Sequence, residues 1–184
     1  SKLTDREGVI EQVVDPYAPT LGLCPPAICG RRQPPMILVI GGTGFIGKNL
    51  TTFWHEAGMP LRIVSRTPDR AFLDTHAPET TALTLEQFLS DPQSALFEVK
   101  AVVYLASTST PGSNLDTPWQ EARDTVEAAM RVMSAVAGYS EASFIYLSSG
   151  GAIYGETDLD VISEDTDLRP ISPYGLGKKM TEAA

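Results

Sequence analysis

The chain reads as an α/β protein, a doubly wound parallel sheet of strand order 3-2-1-4-5, on three observations. Met36 to Ile40 form an unbroken apolar run that ends on a glycine-rich turn, Gly41 to Gly47. A strand without polar alternation suits a parallel sheet covered on both faces. Downstream, short β-type runs alternate with helical patterns almost to the last residue, as strand–crossover–strand units require. The first crossover opens on glycines, which sets the chain winding outward from a central first strand.

Residues 1–35 stand apart from this pattern. They hold Pro16, Pro19, Pro25, Pro26, Pro34 and Pro35, with Arg31-Arg32, and read as an irregular extension. Only Val9-Ile10 and Val13-Val14 could support a turn or two of helix. Residues 36–184 then read as one domain. After the first strand, a helix from Phe45 to Ala57 is ended by Gly58. Strand two is Leu61 to Ser65. A short third strand, Thr81 to Thr84, leads into a helical piece, Leu85 to Leu89. Asp91-Pro92 has the form of an N-cap and first-turn proline, opening another short helix. Strand four is Ala101 to Ala106. A long helix covers Thr117 to Ala137, with Val126, Met130, Met133 and Val136 at helical spacing and expected in the core. Strand five is Ser143 to Leu147, and a last helix opens at Ser172-Pro173.

Bulk properties narrow the chemistry. A length of 184 residues suits one domain with a real core, and 42% hydrophobic residues with mean hydropathy -0.05 describe a soluble globular protein. No apolar run approaches the ~20 residues of a membrane span, and no signal peptide is legible, so the reading is cytoplasmic. Net charge -9 argues against nucleic acid, because phosphate binding needs a basic face. Cys24 and Cys29 are the only cysteines; without further ligands they make no zinc site and read as reduced thiols, so no metal is expected.

The turn between strand one and its helix is where binding is expected. Gly41 permits the tight turn, Gly44 lets the backbone approach a pyrophosphate, and Gly47 lets the helix pack closely on the strand. The unpaired N–H groups of the helix start favour that anion. Strand two would then end on an acidic residue that binds the ribose 2′-hydroxyl. Ser65 and Arg66 stand there instead. With no carboxylate to repel a 2′-phosphate and a guanidinium to receive it, either NAD or NADP fits. The other reading of Arg66 is an ordinary solvated charge.

Tyr174 and Lys178 stand four apart, on one helical face, so the ammonium can sit beside the phenol. A free phenol has a pKa of about 10 and is a poor base at neutral pH. A cation close by favours the phenolate.

Four segments carry a resemblance: GGTGFIG (Gly41 to Gly47), YLAST (Tyr104 to Thr108), SSGGAIYG (Ser148 to Gly155) and SPYGLGK (Ser172 to Lys178). Together they resemble the extended short-chain dehydrogenase/reductases, the NAD-dependent nucleotide-sugar epimerases and dehydratases, and look most like UDP-glucose 4-epimerases. The resemblance implies a Rossmann-like fold. It implies that Gly41, Gly44, Phe45, Ile46 and Gly47, the pair Ser65 and Arg66, and Leu105, Ala106 and Ser107 line the cofactor. Tyr174 would remove a proton from a sugar hydroxyl while hydride passes to the nicotinamide. Lys178 would hold the nicotinamide ribose, so Tyr174 and Lys178 also belong to the cofactor site, and Ser149 would steady the reacting oxygen. The substrate implied is a UDP-sugar, and the partner a second copy joined through the helices after strands four and five.

This sequence also departs from the pattern. Ile40 stands where the family usually has Thr. Gly150 takes the place of the usual catalytic hydroxyl, leaving Ser149, with Ser148 as the alternative. Thr125, with Asp124 beside it, replaces a buttressing Asn. The match runs from Met36 to Ala184, about the first half of such an enzyme, truncated before the substrate lobe. These residues are therefore expected to bind dinucleotide weakly, to turn over no nucleotide sugar and to self-associate. Two other readings stay open: a non-catalytic dinucleotide-binding module, and an NADP-dependent reductase or dehydratase of the same family.

Overall fold

The computed structural model describes residues 34–113 and 115–184. The expectations for Val9 to Val14 and for Cys24 and Cys29 lie outside them. Five strands form one parallel sheet: β1 (Met36–Ile40), β2 (Leu61–Ser65), β3 (Thr81–Thr84), β4 (Val99–Tyr104) and β5 (Ser143–Tyr146). Their order is β3-β2-β1-β4-β5, as the sequence predicts. Ile40 pairs with both Val64 and Tyr104, Ser65 with Thr84, and Tyr104 with Tyr146. The carboxyl ends of all five strands are thereby level, and they make one rim.

Among the described residues, eight α-helices cover the sheet: α1 (Phe45–Glu56), α2 (Arg70–His76), α3 (Leu85–Ser90), α4 (Pro92–Ala95), α5 (Pro118–Glu121), α6 (Glu127–Tyr139), α7 (Gly150–Ile153) and α8 (Pro173–Glu182). Residues 37–40 of β1 are buried without alternation because each face has its own core. Leu38, Ile40, Val102 and Tyr104 pack with Phe88, Ala129, Val132 and Val136 of α3 and α6. Ile37, Val39, Ile63 and Val103 pack with Leu73 of α2 on the opposite face. Burying one such side chain contributes about 2 kcal/mol, so the two layers fix the sheet between them. No helix among the described residues is long and apolar enough to cross a membrane.

Four sequence expectations need correction. Helix α2 is unforeseen; Asp69 accepts the Phe72 N–H at 3.1 Å, and Leu73 is the single core residue that anchors its seven. Strand β4 starts at Val99 and stops at Tyr104, two residues early at each end; exposed Lys100 breaks the apolar run and sits at a register shift, since Met36 pairs with Val99 and Ile37 with Ala101. The long helix is not regular: a π-helical segment, Ala122–Val126, joins α5 to α6. Within α6, Met130 lies at the edge of the buried face, 39% exposed, and Ala129 and Val132 take the core positions with Val126 and Val136. Strand β5 ends at Tyr146, and the short helix α7 follows three residues later.

Candidate functional site

At the rim, the turn after β1 is held by its neighbours. The Gly41 N–H donates to the Val64 carbonyl (2.6 Å) and the Leu105 N–H to the Ile40 carbonyl (2.8 Å). Gly41 has φ +86°, and a Cβ there would lie 2.9 Å from the Ala106 nitrogen, so the turn rests on the end of β4. A Cβ on Gly47 would lie 2.7 Å from Gly42, which is how α1 comes down onto the turn. Gly42, which sequence reading passed over, faces the Ile63 side chain, whose Cδ1 would lie 2.7 Å from a Cβ at that position.

No side chain caps α1 at Gly44, so the first-turn N–H groups keep their donor capacity. The side chains of Phe45 and Ile46 are exposed, so what this turn offers an anion is backbone. The cradle therefore fits a pyrophosphate. Ser65 is drawn into the same cluster, accepting from the Thr43 hydroxyl at 3.0 Å. Arg66 lies at the surface just beyond. A cleft of about 540 Å³ opens beside it, lined by Arg66, Thr84, Leu85, Glu86, Leu89, Ser90 and Arg131, two cations and one acid. Arg131, carried from α6, is a second cation that sequence spacing does not announce. The Ser107 hydroxyl donates to the Ser109 carbonyl (3.0 Å) and shapes the loop after β4.

The second cluster joins β5, α5 and α8. Ser172 caps α8 by accepting from the Gly175 N–H at 3.1 Å, and Pro173 takes the first turn, as expected. Gly175 lets α8 close on α7, whose Ala152 carbonyl it touches. Lys178 is thereby buried, 3% exposed, and donates to the Leu147 carbonyl at the end of β5 (3.1 Å). Its Nζ lies 5.6 Å from the Tyr174 ring centre and 4.9 Å from that of Tyr146. The pairing expected from the four-residue spacing is present. Burial lowers the Lys178 ammonium, while Glu121 and Glu182 act to keep it charged.

Other phenols stand nearby and are poor proton acceptors. Burial pushes Tyr104 up to about 12, helped by Tyr146, and Tyr146 itself up to about 12. Ser149 starts α7, and its hydroxyl makes no cap bond. The neighbouring Ser148 hydroxyl is buried without a hydrogen-bond partner among the described residues. Thr125 is buried, and its hydroxyl lies 2.8 Å from that of Thr108, so it ties the π segment to the loop after β4. Asp124 pairs instead with Arg123 at the surface, 2.8 Å away.

Sequence reading missed Glu121. It closes α5, is 2% exposed, and covers Gly177, where a Cβ would lie 2.8 Å from the Glu121 Cγ. The available signal was Gly177 itself, since a glycine inside a helix marks close packing.

Comparison with known proteins gives the family and the fold. The sequence profile of the NAD dependent epimerase/dehydratase family matches residues 37–184. A dTDP-4-dehydro-6-deoxyglucose reductase of Escherichia coli is 30% identical over 159 residues, spanning 79% of this chain and 48% of the reductase. A UDP-glucose 4-epimerase of Streptococcus mutans is 29% identical over 150 residues, spanning 79% of this chain and 45% of that enzyme. The crystal structure of UDP-glucose 4-epimerase with UDP-glucose from Thermotoga maritima superposes with TM-score 0.68 at 26% identity, over 80% of this chain and 49% of that one. The chain thus spans about half the length of the relatives it matches.

Proposed function

Because the chain belongs to the NAD dependent epimerase/dehydratase family, we propose that it supplies the dinucleotide-binding half of a nucleotide-sugar enzyme, a UDP-sugar 4-epimerase. The observation that carries this is the buried Lys178, anchored on the β5 end and set beside Tyr174 at the rim where the glycine turn lies.

In this reading the pyrophosphate of NAD or NADP rests on the open N-terminus of α1, between Gly41, Gly44 and Gly47. Ala106 and Ser107 line it from β4. The cleft with Arg66, Glu86 and Arg131 takes the adenosine end, and its two cations outweigh the one acid in favour of a 2′-phosphate. When bound, the cofactor accepts a hydride from the sugar carbon and can return it. Tyr174 takes the proton from the hydroxyl on that carbon, leaving a keto-sugar. Lys178 places its charge beside the phenol, and Ser149, or Ser148, donates to the reacting oxygen.

The S. mutans relative is a UDP-glucose 4-epimerase and the T. maritima one holds UDP-glucose, and the SSGG-Tyr-Gly and SPYG segments favour the same substrate class here. The E. coli relative is a dTDP-4-dehydro-6-deoxyglucose reductase, which supports the reductase reading as an alternative. A second reading, a dinucleotide-binding module without turnover, is favoured by Gly150 at the hydroxyl position and by Thr125 in place of Asn. Exposed Trp119, Met130, Leu176 and Met180 support a second copy as partner, through the helices after β4 and β5.

Calorimetric titration of both cofactors, and epimerisation of UDP-glucose by a protein carrying this chain with a substrate lobe, test the reading. NADP should bind at least as well as NAD, and Ser65→Asp should reverse the preference. A clear NAD preference in the unaltered chain returns Arg66 to a surface charge. Tyr174→Phe should lower turnover by about 10²–10⁴-fold with cofactor affinity nearly unchanged. Near-normal turnover in Tyr174→Phe would assign the proton transfer to another group.

A further inference from the structure

Glu121 is a buried acid that the proposed chemistry does not use. It is 2% exposed at the C-terminal end of α5, immediately before the π-helical segment. Its side chain lies over Gly177, the residue preceding Lys178, in space that a Cβ on α8 would occupy. Lys178 is 3% exposed. An acid and an amine buried together are costly unless each serves the other, since isolated charges are poorly tolerated in an interior. We propose that Glu121 is a positioning residue that holds Lys178 as a fixed ammonium between Tyr146 and Tyr174.

The groups around Lys178 give this its sense. From β5 comes the Tyr146 ring and the Leu147 carbonyl; from its own helix come Tyr174 and Glu182; from α5 comes Glu121. Helix α7, which also packs on α8, is Gly-Gly-Ala-Ile and brings no charge. Arg123 and Asp124 of the π segment pair with each other at the surface. Burial alone drives Lys178 towards the neutral amine, and a neutral amine can no longer favour a phenolate. Glu121 opposes that loss from inside the fold, where solvent cannot screen it. The inference rests on Lys178 being the amine of the site, but its test uses neither cofactor nor turnover.

The test is the pH profile of Lys178 acylation, read peptide by peptide by mass spectrometry from about pH 6 to about pH 11, where lysine titrates. In Glu121→Gln the midpoint should fall by about one pH unit, an approximately tenfold rise in free amine at a fixed pH below it. Glu121→Asp should restore most of the difference. An unchanged midpoint in folded Glu121→Gln overturns the proposal. Should that variant not fold, the unaltered chain decides by carbon NMR. The Glu121 carboxyl resonance must shift as Lys178 titrates, and a flat Glu121 resonance across that range overturns the proposal equally. A coupled pair in a chain that binds no dinucleotide would instead sink only the functional reading.

Discussion

On the β2–β3 side of β1, polar groups are spent close to where they arise. Asp69 caps α2, Thr84 and Gln87 form a reciprocal capping box on α3, and Asp91 caps α4. On the β4–β5 side the pattern reverses. Of the buried polar side chains among the described residues, Ser109, Glu121, Thr125, Lys178 and Thr181 lie there, and only Thr51 of α1 does not. A π segment interrupts the long helix, and the Ser148 hydroxyl is buried without a partner among the described residues. Buried polar groups cost free energy unless satisfied, so a fold does not collect them by accident. One side of the sheet is scaffold, and the other gathers polar groups around a shared centre. The glycine turn of β1 is where the two meet.

That junction should show the largest single effect. A methyl added at Gly47 would press on the Gly41 carbonyl oxygen and on the Gly42 backbone, and neither partner is a flexible side chain. Gly47→Ala should cost about 3 kcal/mol of stability and lose measurable dinucleotide binding. Gly151 of α7 faces open space, so Gly151→Ala should change stability by less than about 1 kcal/mol, in the stabilising direction. Thermal melts of the two variants side by side are the check. Equal melting temperatures would mean that the turn yields, and the line drawn between the halves would move.

A second, smaller effect sharpens the β4–β5 side. Tyr104 is 2% exposed, and burial raises its phenol from 10.0 to about 12. A raised folded pKa gives stability that is complete below the unfolded value and is lost as pH climbs through the folded one. Tyr104 should therefore cost the protein on the order of 2 kcal/mol between about pH 10 and pH 12. Half-buried Tyr146 adds to the loss in the same direction. Lys178 works with the opposite sign: its depressed pKa means the penalty for charging it eases as pH rises towards 10.5. Tyr104→Phe should flatten the alkaline limb of a denaturant midpoint against pH. A limb unchanged in the variant would place the alkaline weakness elsewhere.

The sequence showed the scaffold better than the centre. β1 and β2 are legible residue for residue, because a buried parallel strand needs an apolar run and Gly41 and Gly58 punctuate its ends. The Ser172-Pro173 start and the Tyr174–Lys178 spacing are local, so a linear reading reaches them. Helix α2 escaped because one buried leucine, Leu73, carries no periodicity. Met130 misled because helical spacing admits more than one stripe, and the buried one runs through Ala129 and Val132, leaving Met130 at its edge. Glu121 and Arg131 were invisible for a deeper reason. Their neighbours, Gly177 and Arg66, are brought to them only by the packing of α5 on α8 and of α6 on the sheet.

The smallest effect expected tests whether the β2–β3 side is scaffold alone. Asp91 ends α3 and caps α4, accepting from the Ser94 N–H at 3.2 Å, and it faces neither the glycine turn nor Lys178. Removing a capping side chain leaves a first-turn N–H without its partner, which costs about 1 kcal/mol. Asp91→Ala should lose that amount, while Asp91→Asn, which keeps an acceptor oxygen at the cap, should lose only a few tenths of a kcal/mol. Dinucleotide affinity should be the same in both variants as in the unaltered chain, because the cap acts on a helix that carries no part of the cradle. Denaturant unfolding and cofactor calorimetry on the pair read the two quantities separately. If Asp91→Ala weakens the cofactor along with the fold, α4 is coupled to the rim through the Arg66 cleft. The scaffold would then begin further from β1 than the capping pattern draws it.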